Sequence, residues 1–351
     1  MSIIFRNYPD QNYKVIFNQQ TGLFARVENK GFSEPFWAKK GPELLDISIT
    51  NWCDRGCEFC YKNSNQTGNH MSLENYERIM EEAQDNNVFQ VALGGGNPNQ
   101  HPLFIEILKL SRKYDIIPSY TTNGRGLTQE IISATKDYCG AVAVSVYAPY
   151  EDLENTIKLF SDVQIRPNIH FVLDSDSIEI AIDWLTNGRE FLTQINALIF
   201  LNYKPIGEYK DNSKLLKNSV HMKAFFDLVD NNTFSFKIGF DSCMVPGIVT
   251  YMKNYENISL EPCDAGRFSA YISEDLKVYP CSFMIEHYRG ESLLEKSFSD
   301  IWNKSKLFLN TRSQFTDAKC GTCMHQSKCL NGCPFLEEIN LCGNIATKGN
   351  L

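Results

Sequence analysis

The sequence predicts an α/β protein: a partial (β/α)6 TIM-like barrel followed by a small, cysteine-rich module. Three observations carry this. Between residues 44 and 240, short apolar runs alternate with stretches of helical period. After Cys243 the alternation stops, and the twelve cysteines fall mostly into two groups instead of spreading over the chain.

The first feature along the chain is a hairpin over 13–27, in which Asn18-Gln19-Gln20-Thr21-Gly22 supplies the turn chemistry; it makes a leading ribbon within residues 1–41. Residues 42–243 hold the barrel, with strands expected at 44–50, 88–93, 116–121, 141–146, 165–173, 197–202 and 234–240. Helices are expected at 72–84, 103–114, 128–135, 150–161, 177–186 and 213–229. In the first of these, Leu73, Tyr76, Ile79, Met80 and Ala83 share one face and Ser72 is placed as N-cap. Chemistry in such a barrel sits at the C-terminal ends of the strands. Residues 244–351 have little continuous apolar sequence and one helical stretch at 298–309, so thiolate-bonded clusters are the expected source of stability there.

Of the 351 residues 43% are hydrophobic and 22% charged, which excludes disorder as the main state. Asp plus Glu is 42 against 34 Lys plus Arg, a net charge of -8, so no general nucleic-acid binding is expected. No run of about 18 apolar residues offers a membrane span. The first residues lack the order of a secretory signal, and a cytoplasmic protein is expected. In a reducing compartment, clustered thiols read as metal or iron–sulfur ligands, because disulfides would not persist there.

Cys53, Cys57 and Cys60 directly follow the first expected strand in a C-x3-C-x2-C spacing with no fourth thiol beside them. Three thiolates on one loop hold three corners of a four-iron cluster and leave one iron open. A structural zinc site normally takes four ligands, which this loop lacks. The loop resembles the hallmark of the radical S-adenosylmethionine (SAM) superfamily, with Phe59 at the aromatic position before the third cysteine. Gly94-Gly95-Gly96-Asn97-Pro98 stands where that family has a Gly-Gly-Glu-Pro turn, and the resemblance implies a SAM amino-group site there, with Asn97 accepting through its carboxamide oxygen in place of the usual Glu. Thr122-Asn123-Gly124 resembles the family's Thr-Asn-Gly turn, and Ser145 closes the fourth strand, where the resemblance implies contact with ribose or carboxylate; a purely structural Ser145 stands beside that reading. The Gly-rich turn lacks the Gly-Lys-Ser/Thr of a phosphate loop.

Cys263 and Cys281, then Cys320, Cys323, Cys329, Cys333 and Cys342, form a seven-cysteine array. It resembles the SPASM extension of radical SAM peptide and protein maturases, with Leu276 where that pattern has a glycine. The resemblance implies an outer auxiliary cluster on Cys320, Cys323, Cys329 and Cys342. It implies an inner one on Cys263, Cys281 and Cys333, whose last iron takes Cys243, a non-cysteine ligand or substrate. Cys139 reads as a small core residue. Cys243, near the barrel mouth, is left as ligand, hydrogen-atom donor or core.

Taken together the resemblance implies three 4Fe-4S clusters and reductive cleavage of SAM to a 5'-deoxyadenosyl radical. Hydrogen abstraction from a ribosomally made precursor peptide would follow, with oxidative crosslinking through a carbon–carbon, carbon–oxygen or thioether bond. An external donor such as flavodoxin or ferredoxin is implied. With 52 residues ahead of Cys53, leader binding is expected to use the barrel, the hairpin or a separate leader-binding protein. An oxidising sulfatase-type maturase, a peptide epimerase using Cys243 and a small-molecule enzyme are the competing activities, and a zinc scaffold the competing class.

Overall fold

The computed structural model describes residues 3–20, 22–28, 34–208, 210–257, 259–316 and 320–342. The leading ribbon has three strands, β1 (Ile3–Tyr8), β2 (Tyr13–Asn18) and β3 (Phe24–Glu28), paired antiparallel in that order. The sequence reading had only the last two. Alternation places Tyr13, Val15 and Phe17 of β2 inward, against Phe89 and Ile117. Those two residues lie at the starts of barrel strands, so the ribbon covers the bottom of the barrel, opposite the strand ends that carry the cysteines.

Seven parallel strands follow: β4 (Leu44–Thr50), β5 (Gln90–Gly95), β6 (Ile117–Thr122), β7 (Ala141–Ser145), β8 (Asn168–Leu173), β9 (Ala197–Asn202) and β10 (Lys237–Phe240). The helices are α1 (Leu73–Asp85), α2 (Phe104–Lys113), α3 (Gln129–Tyr138), α4 (Glu151–Asp162), α5 (Ile178–Asn187) and α6 (Met222–Asn231). Six β/α units and a seventh strand result, each strand beside its predecessor. Ser72 caps α1 by accepting from the Asn75 N–H at 3.1 Å, and Tyr76, Ile79, Met80 and Ala83 are buried on its inner face.

The helix expected over 213–229 begins only at Met222. Before it, the Asp211 carboxylate accepts from the Ser213 N–H at 2.8 Å and the Asn218 amide donates to the Asn212 carbonyl at 2.9 Å. These local side-chain bonds hold two short 3₁₀ turns in place of α-helix. The helix expected over 298–309 is two, because Ser305 ends one and caps the next by accepting from the Phe308 N–H at 3.3 Å.

The same sheet continues through the cysteine-rich region. Strand β11 (Ser269–Ile272) pairs parallel with β4, and β12 (Lys277–Tyr279) and β13 (Glu291–Ser292) extend it antiparallel, giving ten strands in all among the described residues. Helices α7 (Val245–Tyr251), α8 (Phe298–Lys304), α9 (Lys306–Gln314) and α10 (Gln326–Cys329) complete the fold. One apolar core runs from Leu45 and Ile47 of the barrel to Ile272, Val278 and Trp302 of the tail.

Candidate active site and cluster sites

The loop after β4 is fixed by its backbone. The Cys53 N–H donates to the Asn65 carbonyl at 3.0 Å, the Cys60 N–H to the Cys57 carbonyl at 3.1 Å, and the Ser64 N–H to the Cys60 sulfur at 3.4 Å. Cys53, Cys57 and Cys60 all line one cavity of about 520 Å³ at the C-terminal ends of the strands. Phe59, Gly94, Gly95, Gly96, Thr122, Asn123 and Ser145 line the same cavity. Burial pushes the Cys57 thiol up to about 11, so ligation there must displace a proton.

The three glycines have different duties. A Cβ on Gly96 would sit 1.9 Å from the Trp52 carbonyl oxygen, and one on Gly95 2.0 Å from that of Thr50. These two let the turn lie directly on the cysteine loop, where the Gly96 and Asn97 N–H groups donate to the Thr50 and Trp52 carbonyls. A Cβ on Gly94 would meet nothing within 4 Å, so Gly94 leaves room in the cavity.

Asn97 departs from its expected role. It is 1% exposed, its amide oxygen accepts from the Asn123 N–H at 3.1 Å and the Thr122 hydroxyl at 3.3 Å, and its amide group donates to the Arg125 carbonyl at 3.0 Å. Asn97 is absent from the cavity wall; it ties the glycine turn to the Thr122-Asn123 turn. Asn123 in turn donates to the Cys53 sulfur at 3.7 Å.

Sequence reasoning missed Tyr147, two residues past Ser145. Its ring stacks on Phe59 at 5.6 Å and under the Arg55 guanidinium at 4.1 Å. It lines the cavity together with Cys57 and Ser145. Sequence reasoning also missed His170, Asn202, Lys204 and Asp241, polar residues at or near strand ends that line the cavity. The available signal was position: His170 and Asn202 lie on expected strands, and Lys204 and Asp241 just past the ends of two of them. Lys204 is buried, with its ammonium 2.7 Å from Asp241 Oδ2 and over the Phe283 ring at 4.6 Å.

Cys281 precedes Ser282 and Phe283, which close the cavity on that side. Cys263, Cys281 and Cys333 lie within electrostatic reach of one another, and Cys329 within reach of Cys320, Cys323 and Cys342. Cys139 packs on the main core beside Tyr76, Tyr120 and Arg112, away from both. Among the described residues no three His, Cys, Asp or Glu side chains converge tightly enough for a single metal ion.

The radical SAM superfamily profile matches residues 47–185, and the SPASM profile, an iron-sulfur cluster-binding domain, matches residues 263–329. Together these spans take in more than half of the chain. The chain belongs to the radical SAM superfamily. It is a radical SAM enzyme with a SPASM domain, a fold that binds SAM and iron–sulfur clusters. The mycofactocin maturase MftC of Mycobacterium tuberculosis is 25% identical over 309 residues, covering 83% of this chain and 78% of MftC. A probable GTP 3',8-cyclase of Pyrococcus horikoshii is 33% identical over 194 residues, 50% of this chain and 60% of the cyclase. Streptococcus suis SuiB, solved with its precursor peptide SuiA, superposes with a TM-score of 0.71 at 17% identity, covering 95% of this chain and 94% of SuiB. No helix among the described residues is long and apolar enough to cross a membrane.

Proposed function

We propose that this radical SAM enzyme matures a ribosomally made precursor peptide by oxidative crosslinking, using three 4Fe-4S clusters. The observation that carries this is the shared cavity: Cys53, Cys57 and Cys60 line it, and Ser282 and Phe283, next to Cys281, line it too. A substrate held there lies between two thiol groups, as a net oxidation requires. The likeness to MftC, named a maturase over most of both chains, supports the peptide assignment.

When bound, SAM and its cluster supply the primary radical and the electron that generates it. The chain's residues shape that event. Asn123 directs a hydrogen bond at the Cys53 sulfur, which favours the thiolate. Gly94 leaves space for the ligand, and Phe59 and Tyr147, stacked on each other with Arg55 over the Tyr147 ring, form one wall of the cavity. At the far end, Lys204 and Asp241 place a buried ion pair next to Cys281.

The leading ribbon lies under the barrel, so a leader peptide bound there must run around the molecule to reach the cavity; a separate leader-binding protein removes that demand. Flavodoxin or ferredoxin would supply electrons. The test is anaerobic co-expression with a short peptide encoded beside this gene, followed by mass spectrometry. A peptide that has lost two hydrogens, with 5'-deoxyadenosine formed alongside, is the expected product. An unchanged mass with an inverted residue would establish epimerisation instead, and a colourless zinc protein would end both readings.

A further inference from the structure

A second cavity, of about 720 Å³, lies beside the last strand of the barrel. Strand β10 ends the ten-stranded sheet, so one of its edges has no neighbouring strand among the described residues. Its other edge pairs parallel with β9, where the Lys237 N–H donates to the Asn196 carbonyl and the Asp241 N–H to the Phe200 carbonyl, both at 3.0 Å. Alternate residues of a parallel ladder face the partner strand, so 237, 239 and 241 bond to β9, and the N–H and C=O groups of Ile238 and Phe240 point to the free edge. Both residues line the cavity. Their side chains leave that edge clear: Phe240 packs with Phe200, Phe225 and Phe226, and Ile238 on the main core.

The lining is partly apolar, through Val245 and Ile248 of α7 and Met252 after it. Its charged residues are Asp230, Asp241, Glu261 and Asp264, and no Lys, Arg or His lines the cavity among the described residues. Cations outside the lining answer two of the four: Lys204 reaches Asp241 at 2.7 Å, and Arg26 reaches Glu261 at 3.3 Å while shared with Glu34 and Glu43. The Asp230 carboxylate accepts from the backbone N–H groups of Lys253 and Asn254 at 2.8 and 3.1 Å, which fixes its position and leaves its charge. The balance is negative, so the groove favours a chain that brings Lys or Arg. Asp241 also lines the catalytic cavity, so the two cavities adjoin there. An extended segment paired with Ile238 and Phe240 reaches the place of reaction within a few residues, at about 3.3 Å each.

We infer that an extended, basic segment of the precursor peptide docks as an added strand on the free edge of β10 and passes Asp241 into the catalytic cavity. Main-chain bonds to Ile238 and Phe240 supply affinity, and the acidic lining selects a Lys or Arg beside the paired stretch. The edge spans four residues, a length that discourages pairing between copies of this chain. The inference rests on the peptide reading above and gives that peptide a direct route to the cavity, without the detour that binding to the leading ribbon imposes.

The test is fluorescence polarisation, with the anaerobic, iron-loaded full chain, of a fluorescein-labelled synthetic copy of the short peptide encoded beside this gene. Methylating the peptide's backbone nitrogens one at a time should weaken binding about tenfold at alternate positions of one stretch and leave the positions between them unchanged. Ile238→Pro removes an N–H that faces the free edge and makes no bond to β9, and should weaken binding by a similar factor. Should that variant fail to fold, Glu261→Lys reverses one charge of the lining at an exposed position. The native peptide should then bind about tenfold more weakly at low salt, and a peptide with its Lys and Arg residues exchanged for Glu should bind better than it does to the native protein. A methylation scan without alternation, or native affinity in both variants, would overturn docking on β10 while crosslinked product kept the peptide reading standing. No binding and no loss of two hydrogens with the native protein would overturn the peptide reading itself. A lower molecular mass of Ile238→Pro by light scattering, with peptide affinity kept, would make the edge a contact between copies and overturn the inference as well.

Discussion

Leu276 sets two opposing contributions against each other. Its φ of +62° lies in the left-handed region, which costs a side chain about 1 to 2 kcal/mol, yet it is 1% exposed and packs in the main core. Leu276→Ala should lose about 2 to 3 kcal/mol of packing and keep the backbone strain. Leu276→Gly loses the packing but relieves the strain, so it should be about 1 kcal/mol more stable than the alanine variant, reversing the usual order. Thermal melts of the two variants decide this, and a glycine variant that melts below the alanine one contradicts the account. His170 gives a second case. Burial pulls its imidazole down to about 4, with Thr121 Oγ1 3.3 Å from Nδ1. The unfolded chain takes up that proton first, near pH 6.5, so stability complete above about 6.5 drains as pH falls toward 4, at up to about 1.4 kcal/mol per unit. The drop in melting temperature from pH 7 to 5 should be smaller in His170→Gln than in the native protein; equal drops would exclude this role. The sequence showed the departure at Leu276 but not its conformation, and it showed Asn97 without the bonds that consume its side chain. Residue type reveals which bonds are possible, and only the fold decides which are already taken.

At the scale of elements, the turn Gly94-Gly95-Gly96 is a spacer between β5 and the cysteine loop. Gly96→Ala forces a Cβ onto the Trp52 carbonyl, adjacent to Cys53, and backbone must move. Iron content should fall by about a third, the share of one cluster in three, and SAM cleavage should fall on the order of 100-fold or more. Gly94→Ala meets no such contact, so iron should be retained while the KM for SAM rises. Iron assay and 5'-deoxyadenosine yield on the two variants separate the roles, and matching losses would merge them. The barrel strands and α1 to α5 were legible because burial imposes their periodicity directly. The leading strand β1 was not, since it alternates half-buried and exposed residues on a thin sheet. Neither was α7, whose Val-Pro-Gly-Ile-Val-Thr-Tyr has poor helical propensity; its burial against Phe226 and Leu341 holds it.

At the scale of the whole molecule, β11 lies against β4, so the tail is bonded to the very strand that leads into Cys53. Further contacts bind the chain's end to the barrel: the Asn202 amide donates to the Ile339 carbonyl at 3.0 Å, and Leu341 packs on Gly247 of α7. Sequence alternation stops after Cys243, which suggested a boundary there, but pairing between distant strands is invisible to local pattern. The consequence is a graded response to loss of thiolates. Cys53→Ala, Cys57→Ala or Cys60→Ala removes a ligand from the cavity wall itself and should abolish 5'-deoxyadenosine formation. Cys320→Ala or Cys342→Ala acts on thiols away from that wall. Those variants should still cleave SAM, within about tenfold of the native rate if the barrel stays folded, while product per 5'-deoxyadenosine collapses because the substrate's electron has no exit. The ratio of crosslinked peptide to 5'-deoxyadenosine, measured beside the melting temperature, separates an electron-transfer loss from an unfolded tail. A ratio unchanged in a folded Cys342→Ala protein would mean that the outer thiols serve the fold alone.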